Sequence, residues 1–117
     1  MRAQLMERIA ILRNADMISA FVAGFCQETV DYLLQTKPDA EEERLAMLIT
    51  HLAMGTQRLV DHKDENPIDQ GILEAIKKEP QFPEAELLAE TIIDRSGIPF
   101  SQTETDFLII HLCNLLS

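Results

Sequence analysis

Tryptophan is absent from this chain of 117 residues, tyrosine occurs once and phenylalanine five times. Aromatics are this few, and nowhere do Val, Ile or Thr alternate with polar residues, so nothing in the sequence points to a sheet. Only two cysteines occur, Cys26 and Cys113, each inside an apolar segment. Their separation matches no metal or redox motif, and they are expected to be buried thiols of a reducing cytoplasm. No apolar run approaches the ~20 residues that span a bilayer. The stretch from Met1 to Arg8 lacks the apolar core of a secretory signal. Glycine-rich phosphate loops, CxxC pairs, HExxH and GxSxG are missing too. Membrane spans, disulfide scaffolds and the commoner motif-bearing enzymes are thereby set aside, and no cofactor is expected.

Basic residues are also scarce. Ten Lys and Arg face twenty Asp and Glu, for a formal charge of −10. Residues 59–117 carry most of the excess, with four bases against twelve acids. Such a field repels phosphate backbones and anionic bilayers, so neither direct nucleic-acid binding nor membrane association is expected. A basic protein surface is the better-matched partner.

What the chain does have is helical spacing from end to end. The length suits one domain, residues 1–117. A first helix is expected over Arg2 to Arg13, with Leu5, Ile9 and Leu12 on one stripe. A second runs from an N-cap at Ser19 to about Gln35, its stripe Phe21, Val22, Phe25, Thr29 and Leu33. A third is capped by Asp39 with Glu42 in the reciprocal position and carries Leu45, Leu48, Ile49, Leu52, Thr56 and Leu59. A fourth starts at Asn66 and Pro67, with Ile68, Ile72, Leu73 and Ile76 inward. The fifth runs from about Pro83 to Ser96, stopped by Gly97 and Pro99, with Leu87, Leu88, Thr91 and Ile92 facing the core. Ser101 and Glu104 form a second capping-box pattern opening the last helix, whose apolar positions include Phe107, Leu108, Leu112, Leu115 and Leu116. These readings describe an all-α, five- to six-helix antiparallel bundle. Of the five methionines, the Met47 and Met54 pair beside His51 is expected in the core.

Two segments echo each other: Ile49-Thr50-His51-Leu52 and Ile109-Ile110-His111-Leu112. Each has a histidine inside an apolar helix and a charged residue two turns away on the same face, Arg58 for His51 and Glu104 for His111. A neutral imidazole can accept a phosphoryl group, a guanidinium can hold its oxygens, and a carboxylate can orient a second imidazole. His51 and His62 lie too far apart along the chain to share an ion, so no metal site is expected. His62 reads as a solvated loop residue.

Taken together, His51-Leu52 with Arg58, the run Asn66-Pro67 through Ile72-Leu73-Glu74-Ala75-Ile76-Lys77, and Glu104 with His111-Leu112 resemble the phosphotransferase-system (PTS) regulation domain, or PRD. Residues 39–117 carry the likeness, and residues 1–36 read as two additional or family-generic helices. The resemblance implies a cytoplasmic, non-enzymatic helical module of transcription and antitermination control. It implies phosphorylation of His51 and His111 by HPr or a sugar-specific EIIB, a phosphate or dimer contact at Arg58, an orienting role for Glu104 beside His111, and a homodimer. From its length the chain is expected to hold one such module with no room for an output domain. Two other readings stay open on the residues alone. One is a non-phosphorylated interaction module that pairs with another regulator. The other is a small enzyme using either histidine, for which no third group completes a catalytic constellation.

Overall fold

The computed structural model describes residues 1–117 as six helices with no strand. They are α1 (Arg2–Asn14), α2 (Ala20–Thr36), α3 (Glu42–Val60), α4 (Gln70–Lys77), α5 (Phe82–Ser96) and α6 (Gln102–Leu116). The stop signals act as the sequence suggests. Asp16 takes a positive φ of 58° just after α1, a conformation that Asp tolerates better than most residues. Ser19 accepts a hydrogen bond from the Val22 amide and caps α2. Gly97 adopts the left-handed conformation at the end of α5, where a side chain would be strained.

The third helix is the centre of the molecule, packed against α1, α2 and α6, while α5 lies on α6 and touches α2. Its stripe Leu45, Leu48, Ile49 and Leu52 is buried, joined by Leu5 and Ile9 from α1, Val22, Phe25, Val30 and Leu33 from α2, Leu88 and Ile92 from α5, and Leu108 and Leu112 from α6. Cys26 and Cys113 are free and buried. Burial pushes the Cys26 thiol up to about 12 and raises that of Cys113, with Glu79 adding to the shift. Both therefore stay protonated and unreactive at neutral pH.

Several local expectations are corrected. Asp39 does not cap α3: the Ala40 amide donates to the Lys37 carbonyl and closes a turn around it, and the helix begins after Glu41, which makes no side-chain cap. Asn66 does not cap α4. Asp69 does so three residues later, accepting from the Ile72 amide. Asn and Asp cap about equally well, so local preference does not choose between them. No residue of α4 is fully buried, and Ile72 is exposed, because this short helix packs chiefly on the edge of α6. Phe21 and Leu87, placed on inward stripes by spacing, are also on the surface. Met47 is exposed and Met54 half-buried, so the methionine pair beside His51 flanks the core instead of filling it.

Candidate functional site

The facing surfaces of α3 and α6 place four polar side chains in two cross-helix pairs. Apolar neighbours fix their position. Leu48 and Leu52 bracket His51 on α3, Leu108 and Leu112 bracket His111 on α6, and all four leucines are buried. The histidines therefore sit at the rim of the core, His51 exposed and His111 half-buried. Their rings stack, with centroids 4.3 Å apart and planes inclined by 20°.

Two turns away, about 10 Å along the helices at 1.5 Å per residue, Arg58 meets Glu104. Arg58 Nε donates to Glu104 Oε2 at 2.8 Å and Nη2 to Oε1 at 3.0 Å. This is the bidentate geometry in which guanidinium and carboxylate bind most strongly. Passing from the histidine pair to the ion pair runs forward along α3 and backward along α6, so the two helices are antiparallel. The Glu104 side chain is 5% exposed and that of Arg58 29%. The remaining nitrogen, Nη1, lies 3.8 Å from Glu65. The hydrogen bond that Arg58 donates to Glu104 raises its already high pKa further.

This geometry gives Glu104 a partner other than the expected one. Both carboxylate oxygens of Glu104 are taken by Arg58, so its charge orients the guanidinium and not the His111 imidazole. The capping box is accordingly half-formed: the Ser101 hydroxyl accepts from the Glu104 amide, and the Glu104 side chain turns inward instead of reaching back. Arg58 in turn is a cation of the α3–α6 seam, with Nη1 as the nitrogen left outside the bidentate pair. His62 stands just beyond α3 with φ 56° and is exposed, outside the site.

Gly55 makes the ion pair possible. A Cβ there would lie 2.6 Å from Glu104 Oε1 and 3.5 Å from Arg58 Nη2. The carboxylate is thus pressed against bare α3 backbone. Glycine inside an otherwise helical pattern is a signal of such close approach, and it is the one sequence cue to this seam beyond the spacing of seven. Gly55→Ala is expected to lower stability by about 1–2 kcal/mol, because the displaced ion pair outweighs the roughly 1 kcal/mol of helix propensity gained. In a Glu104→Ala background the same change is expected to stabilise. Urea denaturation of the four proteins measures this reversal of sign.

Between the two pairs lies a narrow cavity of about 10 Å³, the volume of roughly one water. Leu52, Thr56, Phe100, Phe107 and Leu108 line it, and the buried Thr56 hydroxyl makes no hydrogen bond there. His111 feels this apolar wall: burial, with a smaller contribution from the charge of His51, lowers its pKa from 6.5 to about 4. It is neutral at physiological pH, with a lone pair free on one ring nitrogen. No group of three or more His, Cys, Asp or Glu side chains is placed to hold a metal ion, and no helix is long and apolar enough to cross a membrane.

Residues 27–115 match the family model of the PRD domain. The matched span begins within α2 and takes in both histidines, Arg58, Gly55 and Glu104, whereas α1 lies outside it. No curated protein and no solved structure matches the chain.

Proposed function

The chain belongs to the PRD domain family, the phosphotransferase-system type of regulation domain found in transcription antiterminators, and from that premise we propose that it is a cytoplasmic regulatory module switched by histidine phosphorylation. HPr or a sugar-specific EIIB is the donor, a homodimer is the working state, and the module neither catalyses turnover nor binds nucleic acid itself. One observation carries this reading: a stacked imidazole pair at the rim of the core, with the His51 ring open to solvent. A histidine sealed by aliphatic side chains would instead have favoured a purely structural or interaction role.

The transfer is a simple exchange at phosphorus. A lone pair on a neutral ring nitrogen of His51 or His111 forms the new P–N bond. The bond from phosphorus to the donor's side chain breaks, and that side chain keeps the electron pair and regains a proton. The phosphoryl group adds about two negative charges to a chain already at −10. Charge of that size beside an interface acts by repulsion and by recruiting cations, which is how the proposed dimer is shifted.

Incubation of the full chain with phosphorylated HPr or EIIB is expected to add acid-labile phosphate. His51→Ala removes most of it, since His51 is the more accessible ring, and His111→Ala removes a smaller share. Absence of uptake from both donors overturns the phosphoacceptor reading.

A further inference from the structure

A cation that shares a surface hollow with His51 is Arg8 of α1, a helix outside the matched family span. Leu5 and Ile9 on α1 are buried against the core, which anchors that helix. Arg8, one turn beyond Leu5, is thereby carried to the α1–α3 edge. There its Nη1 donates to the Thr50 hydroxyl at 3.3 Å, and Thr50 is the residue before His51. The Thr50 hydroxyl itself donates to the Ala46 carbonyl, which holds it on the α3 surface. Arg8 and His51 line one open hollow of about 370 Å³, together with Gln4, Met47 and two carboxylates, Glu42 and Glu43.

Arg8 and Arg58 are in different situations. Two nitrogens of Arg58 are spent on a buried carboxylate and the third lies near Glu65. Arg8 pairs with no carboxylate, and the neutral Thr50 hydroxyl is its one side-chain partner. A weak neutral acceptor is readily exchanged for a charged oxygen, since charge-assisted bonds are about twice as strong. Guanidinium also suits the planar, two-point recognition of phosphoryl oxygens.

We propose that Arg8 is the phosphoryl-binding cation of His51: α1 supplies a guanidinium that leaves Thr50 and closes on the oxygens of a phosphoryl group carried by that ring. This rests on the reading of His51 as an acceptor, and it adds α1 to the phosphate site.

Chemical phosphorylation of the full chain with potassium phosphoramidate tests the proposal without any donor protein. Ammonia leaves as the P–N bond to His51 forms, and a His51→Ala control identifies the ³¹P signal. A cation held against the phosphoryl oxygens favours the dianion, so the ³¹P titration midpoint is expected to rise by about half a pH unit in Arg8→Gln, with Arg8→Lys in between. Glu42 and Glu43 act equally in all three proteins, so the comparison isolates Arg8. Equal midpoints, or a His51 that phosphoramidate does not modify, overturn the proposal. The shift seen without uptake from HPr or EIIB keeps Arg8 beside the chemically phosphorylated ring and overturns the phosphoacceptor reading of the proposed function alone.

Discussion

Arg58→Ala is expected to destabilise the fold by about 3–5 kcal/mol, the cost of leaving a buried charge without its partner. Glu104 is the more buried member of the pair, at 5% exposure, and it gains no replacement donor because Gly55 presents only backbone to it. The mirror-image variant, Glu104→Ala, is expected to lose less, about 1–3 kcal/mol, since the Arg58 side chain is 29% exposed and can turn to water and to Glu65. The asymmetry between the two variants is the informative quantity. Domains of this size have roughly 5–15 kcal/mol to lose, so the arginine variant approaches the limit of folding at 37 °C. Urea midpoints with unchanged slopes measure both losses. An Arg58→Ala loss below that of Glu104→Ala would mean that water reaches the carboxylate, and the seam would have to be redrawn.

Acidification is expected to destabilise the protein over a definite window. The folded state holds His111 at about 4 against an ordinary value of 6.5, so between these values the unfolded chain binds more protons than the native one. Stability is then highest above pH 6.5 and falls as the pH drops toward 4, where the imidazolium must form beside an apolar wall and a second ring. With His111 only half-buried, the full shift is discounted for solvent, leaving an effect on the order of 1–3 kcal/mol. The groups around it are His51 on α3, a Glu104 two turns along α6 that is already occupied by Arg58, and Glu79, which lines a surface hollow with His111. No carboxylate forms an ion pair with the His111 ring, and burial and His51 account for its lowered pKa. His111→Gln is expected to flatten the thermal-midpoint profile between pH 6.5 and 4. A profile identical to that of the unaltered protein would locate the acid sensitivity elsewhere.

Both expectations depend on contacts between α3 and α6, and these contacts show where reading the chain succeeds and where it stops. Helix existence followed from periodicity, since Leu45, Leu48, Ile49 and Leu52 can share a face only at 3.6 residues per turn. Ser19, Ser101 and Gly97 were legible because each acts within one turn of itself. Asp39 and Asn66 failed for the same local reason: a stronger competing turn or an equally good cap stood within three residues. Phe21, Leu87 and Ile72 failed for a different reason. An amphipathic pattern shows which residues share a face, and burial also needs a neighbouring helix to cover that face. For α4 little does.

The site divides along the same line. Sequence alone determined that His51 and Arg58 lie on one face of a helix, that Glu104 and His111 lie on one face of another, and that the order of these residues matches a known regulatory domain. Helical rise is a property of the backbone, so those in-helix relations hold whatever surrounds them. The tertiary structure decided which residues meet. Antiparallel packing of α3 on α6 set imidazole against imidazole and guanidinium against carboxylate, reassigned Glu104 from His111 to Arg58, and brought Arg8 from the far end of the chain to the edge of His51. Such pairings depend on the relative direction and register of separate helices. Those are settled by how the buried leucines interlock across the whole core, and no spacing within a single helix encodes them.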